Sequence, residues 1–361
     1  MLMRSLLKNL KTAPLQAALL LLLSGSFLMA PAQYAVWSPD STALSAPNYR
    51  MDRYHRLLRY HDPLLYIAFP LVKPIADRPL PLQNGEGKNG YWLEGNFAYR
   101  FALYQGKYYS YPLLQRLRPT IDVGLMPRLT RDASSPLLPF NNQFGVGTDL
   151  LLSSLSGLHK ERPTLVWTTF QLHHYSNGQA DSFFVEGPVE RNNYRSGDFS
   201  TNYWRGALHV SHVGQKNIVT GSVGYQEDVD LGGPLVRSPE LYHRYGEQRV
   251  LASLQFTRKP RLVTATYANR ATAEEDVVKE EVRRQWMFRT EASYIVSGLS
   301  KYSRSNKQRL GWHNYLTYMP SLTNEVGLLL HTYIGRDYLN IRFDDAVFIG
   351  EAGLFFTLNG R

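Results

Sequence analysis

The sequence predicts an all-β protein, namely a closed antiparallel transmembrane β-barrel of twelve strands with an irregular N-terminal extension. The main observation is that apolar and polar residues alternate in short runs that turn residues separate. Such alternation is typical of strands with one face toward lipid and the other toward a polar interior. Tyrosine is also unusually abundant, with 24 residues, and aromatic residues make up 13% of the chain.

The first 32 residues have the pattern of a secretory signal peptide. Three cations, Arg4, Lys8 and Lys11, precede the apolar run 15–23, and small residues surround Ala32. That run is too short to cross a bilayer, so we expect cleavage near Ala32. The chain has no cysteine, which excludes a lipid anchor on a processed cysteine, disulfides and any thiolate site.

The net charge of the chain is +10, and removing the three signal-peptide cations leaves about +7. A positive surface suits phosphate-rich lipid headgroups, although it also suits simple solubility. The charge alone does not distinguish these two, but membrane phospholipids and the outer membrane lipid bilayer are the expected partners of a transmembrane barrel. Nucleic acid is not an expected partner of an exported barrel.

Residues 33–90 are rich in proline and irregular, and we expect a periplasmic extension there, with the apolar run 63–72 as a candidate first strand. The barrel is expected over 91–361. Its strand candidates are 91–103, 117–131, 142–155, 163–176, 199–213, 216–226, 248–257, 261–269, 285–297, 309–319, 325–334 and 346–358.

Counting the early run, these candidates are one more than an even-stranded barrel allows. Either the early run or a segment within 261–297 is then surplus, because 272–284 has the pattern of a helix that begins with a Thr272-x-x-Glu275 cap. Short turns at 214–215 and 258–260 contrast with long connections at 177–198 and 228–247. Periplasmic turns are short and extracellular loops are long, so the end of strand 163–176 should face outside the cell.

Polar, chemically competent side chains lie at that strand end. Alternation places His174 and Ser176 on one face of the strand, and Asn202 is expected beside them at the start of the next strand. The rest of this face is largely apolar, and the residues that should meet lipid are Val166, Phe170, Leu172, Trp204, Leu208 and Val210. The three polar residues could serve as base, nucleophile and orienting group, or simply as polar residues at the membrane interface.

The motif His174-x-Ser176-Asn177-Gly178, followed by Asn202, resembles the outer membrane phospholipase A family. Segments 315–320 and 333–339 resemble the last two hairpins of that family's barrel, so the resemblance covers roughly 164–358. It implies a twelve-stranded outer membrane barrel with phospholipase A1 activity, which removes the 1-acyl chain of phospholipids. It also implies a calcium requirement and a homodimer.

Carried over residue by residue, the resemblance makes Ser176 the nucleophile, His174 the general base and Asn202 the residue that orients the imidazole. Gly178 would give its backbone N–H to the oxyanion, and calcium would bind at Gln179 and Asp198. Two departures concern the metal: Gln179 replaces the family's usual arginine, and Asp198 replaces a hydroxyl residue.

Two other functions stay open. The chain could be a non-catalytic outer membrane barrel, such as a small porin or a structural protein. It could also be a lipid A deacylase, in which Asp198 or Glu186 would take the place of Asn202.

Two further groups of polar residues have simpler interpretations. Alternation places His173 and His209 in the interior but His174 and His212 on the lipid side, which argues against one transition-metal site. Interior Gln171, Arg205 and Glu291 are expected to form a structural polar network.

Overall fold

The structure is a computed structural model that describes a large part of the chain. The described residues are 58, 62–71, 75–76, 91–103, 116–130, 137–153, 162–185, 191–193, 196–258, 267–268, 275–276, 285–299, 309–320, 326–343 and 346–357. All of them belong to the larger of two compact units, Ser45–Thr357. The expected signal peptide lies outside the described residues, as does most of the expected extension.

Strands dominate the described residues. In chain order they are β1 Leu65–Pro70, β2 Ile75–Ala76, β3 Tyr91–Asn96, β4 Tyr99–Ala102, β5 Leu117–Met126, β6 Arg128–Thr130, β7 Asn141–Leu151, β8 Thr164–Ser176, β9 Phe184–Val185, β10 Arg191–Asn192, β11 Ser200–Val213, β12 Asn217–Val229, β13 Gln248–Arg258, β14 Tyr267–Ala268, β15 Glu275–Asp276, β16 Gln285–Ser297, β17 Leu310–Met319, β18 Val326–Arg336 and β19 Ala346–Phe356. Short 3-10 helices occupy Gly233–Leu235, Pro239–Leu241 and Asn340–Arg342. Among the described residues, no helix is long and apolar enough to cross a membrane.

One antiparallel sheet of 15 strands contains the long elements. Its path runs from β4 through β5, β7, β8, β11, β12, β13, β16, β17, β18 and β19 to β1, β3 and β6, and β2 pairs with β19 beside this path. The prediction of an all-β antiparallel fold is confirmed. Closure of the sheet and the count of twelve strands stay predictions.

Backbone hydrogen bonds connect the segments at the two ends of this path. Pro127, which has no N–H to donate, separates β5 from β6. Across this interruption, Gly95 N–H donates to Pro127 O at 2.9 Å and Phe97 N–H donates to Leu125 O at 2.8 Å. The segment that contains β3 and β4 therefore lies beside the segment that contains β5 and β6 along its length.

The early apolar run is part of this sheet. β1 pairs with β19 through Leu65↔Phe356 and with β3 through Ala68↔Glu94. In the later doubtful region, Gln285–Ser297 is a strand that pairs with β13 and β17. The prediction of a helix over 272–284 is wrong at Glu275–Asp276, because these residues form β15, which pairs with β14. The other residues of that predicted helix lie outside the described residues.

The two faces of β8 and β11 differ as the alternation predicts. Phe170, Leu208 and Val210 are 51%, 43% and 45% exposed, whereas Gln171 and His173 are buried. An exposed apolar surface on many neighbouring strands is the pattern of a sheet in contact with lipid. The predicted register of β8 and β11, on which this face depends, is confirmed.

Two of the three residues expected in a polar network, Gln171 and Arg205, form hydrogen bonds on the inner face, whereas the Glu291 side chain is 42% exposed and lies 3.7 Å from Arg289. Asp122 accepts hydrogen bonds from Arg100 Nε at 2.9 Å and from Gln171 Nε2 at 2.7 Å, and His173 Nε2 lies 2.8 Å from it. Arg205 Nη2 donates to Gln226 Oε1 at 2.7 Å. These contacts satisfy polar groups that burial would otherwise leave unpaired, and they connect β4, β5 and β8 through the interior.

Candidate functional site

The candidate site lies where β8 and β11 meet at one end of the sheet. In their antiparallel register Asn202 is opposite His174, and Ser200 is opposite Ser176. On the other side of β8, Asn142 of β7 is opposite Ser176. The pairing therefore brings His174, Ser176 and Asn202 to the same corner, as the sequence predicts.

His174 and Asn202 are in direct contact. His174 Nδ1 lies 2.9 Å from Asn202 Oδ1, and Asn202 Nδ2 donates to the backbone oxygen of Leu235 at 2.5 Å. The carbonyl of Leu235 can only accept, which fixes the orientation of the Asn202 amide. Asn202 Oδ1 must then accept from His174 Nδ1–H, which leaves Nε2 of the imidazole as the proton acceptor.

Ser176 follows His174 by two positions and is therefore on the same face of β8. Its side chain is half-buried. Among the described residues, none forms a hydrogen bond with the Ser176 hydroxyl. Catalytic hydrogen bonds often tighten only when substrate binds, so this geometry is compatible with a nucleophile.

The turn after β8 is held by Asn177. Its side-chain oxygen accepts from Phe199 N–H at 3.0 Å and from Gln179 N–H at 3.2 Å, and its Nδ2 donates to Gly197 O at 2.8 Å. Gly178 has a φ of +66°, in the left-handed region that glycine adopts most easily. Within the described part of the chain, the Gly178 N–H has no hydrogen-bond partner, so it is available to a ligand.

The expected metal ligands come from both sides of the same turn. Asp198 N–H donates to Asp181 O at 2.7 Å, which holds the segment before β11 against the turn after β8. The Asp198 carboxylate accepts from Ser238 Oγ at 2.5 Å. Burial raises the pKa of Asp198, and the hydrogen bond from Ser238 partly opposes that shift. Gln179 is half-buried, and its backbone N–H is engaged by Asn177.

An apolar cluster packs the loops together beside the site. It comprises Leu138, Phe183, Phe199, Leu241, Leu339 and Phe343. Tyr175, the residue between His174 and Ser176, packs against this cluster with its ring edge-on to Phe199 at 5.6 Å. Close packing of this kind limits the movement of the loops that carry Asn177 and Asp198.

Sequence reasoning missed the contribution of the loop between β12 and β13. This loop supplies Leu235, which orients Asn202, and Ser238, which contacts both Asp198 and the backbone N–H of Ser200 at 2.8 Å. Its sequence contains the pair Gly232-Gly233, with φ values of +70° and +58°, followed by a proline. That combination indicates an ordered turn, but not the contact it makes.

Comparisons with known proteins give structural likenesses only. No family model matches the chain, and no curated protein sequence matches it. The structure is similar to outer membrane phospholipase A from Escherichia coli, with a TM-score of 0.48 and 13% identity over 81% of this chain and 90% of that chain. It is also similar to the calcium-bound dimer of the outer membrane phospholipase from Salmonella typhi, with a TM-score of 0.47, 13% identity and the same two coverages.

A further similarity is to the NanC porin, with a TM-score of 0.40 and 9% identity over 82% of this chain and 100% of that chain. The sheet of this chain has an exposed apolar face and a buried polar face, which is the pattern of strands in contact with lipid.

Proposed function

We propose that this protein is an acyl ester hydrolase of the phospholipase A1 type that acts on phospholipids in the outer membrane. The observation that carries the proposal is the 2.9 Å contact between His174 Nδ1 and Asn202 Oδ1, beside Ser176 on an otherwise lipid-facing surface. An imidazole oriented by a neutral amide occurs in hydrolases with a Cys-His-Asn arrangement. A lipid-facing position gives the site direct access to acyl chains.

The proposed chemistry uses the three side chains as one unit. Ser176 Oγ attacks the ester carbonyl while its proton passes to His174 Nε2. His174 then gives that proton to the departing lyso-phospholipid, and water releases the fatty acid from Ser176. Asn202 holds Nδ1–H of the imidazole throughout and stabilises the imidazolium less strongly than a carboxylate would.

The developing oxyanion requires fixed donors, and the Gly178 N–H is the proposed one. Calcium prefers oxygen ligands, and the Asp198 carboxylate and the side-chain carbonyl of Gln179 offer these. The Asp198 carboxylate has one oxygen engaged by Ser238, so its other oxygen fits a cation. When bound, calcium would add positive charge near the oxyanion.

The proposal includes the architecture around the site. We infer that the interrupted segments β3–β4 and β5–β6 each act as one spanning strand, so that twelve strands close into a barrel. The hydrogen bonds between Gly95 and Pro127 and between Phe97 and Leu125 support this inference. A homodimer also belongs to this proposal, because the motif resembles that of the outer membrane phospholipase A family.

The lipid A deacylase alternative requires an acidic partner for His174. The Asp198 carboxylate instead bonds to Ser238, and the other acidic candidate, Glu186, lies outside the described residues. The contact of His174 with Asn202 therefore favours the phospholipase.

The test is hydrolysis of a phospholipid with distinguishable acyl chains by the purified full-length protein in detergent micelles with calcium. Wild type should release the 1-acyl chain and Ser176→Ala should not. Ser211→Ala, a buried serine near the opposite end of β11, is the matched control and should retain activity. Wild-type protein without turnover on any phospholipid would defeat the hypothesis and leave the non-catalytic barrel.

A further inference from the structure

A group of buried titratable side chains lies in the interior, on strands that do not carry the candidate active site. Glu94 of β3, His331 of β18 and Glu351 of β19 each offer a ligand atom, and these atoms lie within 4.8 Å of one another. Their exposures are 0%, 1% and 1%. We propose that they form a binding site for a divalent transition-metal ion.

Two polar atoms of this group have no protein partner. Glu351 Oε2 and His331 Nδ1 are buried and form no hydrogen bond. His331 Nδ1 lies 3.7 Å from Glu351 Oε1, too far for a hydrogen bond. Two ligands that are each about 2 Å from one ion lie at most about 4 Å apart, so this spacing fits a shared ion.

The other polar atoms of these side chains form hydrogen bonds with neighbouring residues, as the ligands of protein metal sites commonly do. Tyr91 donates to Glu351 Oε1 at 2.8 Å, and Tyr66 donates to Glu94 Oε1 at 3.0 Å. His331 Nε2 lies 3.1 Å from His313 Nδ1. If Nε2 of His331 donates to His313, then Nδ1 of His331 carries a lone pair. This lone pair faces the Glu351 carboxylate, and the two repel each other. A cation bound between them would attract both.

The charge balance of the interior also indicates a missing cation. Arg128 forms ion pairs with Glu94 at 2.5 Å and with Asp337 at 2.8 Å, and Arg342 also pairs with Asp337 at 3.4 Å, so these two carboxylates have cationic partners. Within the described residues, no lysine or arginine forms an ion pair with Glu351. A buried carboxylate without a cation is costly. A divalent ion beside Glu351 would compensate for this charge.

The ligand set indicates which class of ion would bind. One imidazole nitrogen with carboxylate oxygens suits zinc and neighbouring transition metals better than calcium, which takes oxygen ligands. Glu94 Oε1 is shared with the hydroxyls of Tyr66 and Tyr338, so this carboxylate would complete the site by a side-chain shift. Bound metal would join β3, β18 and β19.

The experiment uses the full-length protein, treated with EDTA, incubated with zinc, dialysed exhaustively and analysed for metal content. Wild type should retain about one zinc per chain and melt at a higher temperature than the EDTA-treated protein. His331→Gln and Glu351→Gln should each lower the zinc content by at least about 10-fold. The matched control is His209→Gln, an interior histidine that stacks on Trp167, and it should retain the metal.

Folding of each variant is checked by its unheated mobility on a gel, and Glu351→Gln keeps the shape of the side chain if His331→Gln fails to fold. Asp198→Asn should also retain zinc, which separates this site from the proposed calcium site. Wild-type protein that holds no zinc at excess metal would overturn the proposal. Equal zinc in folded Glu351→Gln and wild type would overturn it as well.

Discussion

The carboxylate of Asp198 accepts a 2.5 Å hydrogen bond from the hydroxyl of Ser238. This contact joins the segment before β11 to the loop between β12 and β13, at the end of the sheet where His174 lies. Because the same hydroxyl accepts from the backbone N–H of Ser200, Ser238 links the proposed calcium ligand to the strand that carries Asn202.

Replacing Ser238 should therefore affect the calcium requirement. Ser238→Ala removes a donor that lowers the pKa of Asp198, so this pKa should rise further. At a given pH, a larger fraction of Asp198 is then protonated, and half-maximal activity should need more calcium. Calcium titration of phospholipid hydrolysis measures this, with Ser211→Ala as the control. An unchanged calcium requirement would remove Ser238 from the metal site.

The calcium requirement should also depend on pH. Burial raises the pKa of Asp198, and a carboxylate binds calcium only after it has lost its proton. The calcium concentration for half-maximal activity should consequently rise as the pH falls from about 8 toward about 5, closer to the ordinary range of an aspartate. Asp198→Asn should need more calcium and lose this dependence. Identical profiles for the two proteins would contradict the assignment.

Asn202→Ala should leave measurable activity, because Asn202 orients the imidazole and does not react. Loss of a hydrogen bond to a charged imidazolium should lower kcat by about 10-fold to 100-fold with little change in KM. The matched control is Asn314→Ala, a half-buried strand asparagine that pairs with Thr332. Complete inactivation of a folded Asn202→Ala protein would give Asn202 a larger role than orientation.

The lipid-facing surface predicts a position-dependent cost of charge. Leu208 lies in the middle of β11, opposite Val223 and Thr168, and Leu208→Arg should lower the free energy of unfolding by about 2–4 kcal/mol. Val219→Arg, near the start of β12, should cost only about 0–1 kcal/mol. Denaturant titration in lipid measures both. Equal costs would show that Leu208 does not face the bilayer centre.

The interior network around Asp122 should be important for stability but not for chemistry. Asp122→Ala leaves Arg100, whose side chain is 12% exposed, without its ion pair and removes an acceptor for Gln171, which should cost about 3–5 kcal/mol. Asp122→Asn keeps the shape and one acceptor oxygen, so its cost should be smaller. The same unfolding measurement tests this, and folded protein should retain the activity of wild type per molecule.

Local alternation was sufficient to predict the strands that carry the site. The side chains of β8 and β11 change face at every residue, so one correct register placed His174 opposite Asn202 and Phe170 toward lipid. The same rule could not decide whether Leu65–Pro70 is a strand of the sheet, because its partners β19 and β3 are chosen by distant sequence.

Contacts between loops could not be predicted from the sequence either. Leu235 acts on Asn202 through a backbone oxygen, which every residue possesses, so its identity gives no signal. The error at Glu275–Asp276 has a related cause: a capping pattern and a run of charges predict a helix locally, whereas the structure pairs these residues with Tyr267–Ala268.

The pairing of β1 with β19 has a consequence for assembly of the sheet. The two strands are far apart in the sequence, so β1 cannot meet this partner until β19 has been synthesised. Until then, β1 and β18 each present a row of unpaired backbone groups, which is a template for joining another copy of the chain. Correct assembly therefore requires that incomplete chains be kept apart until β19 pairs with both of these strands.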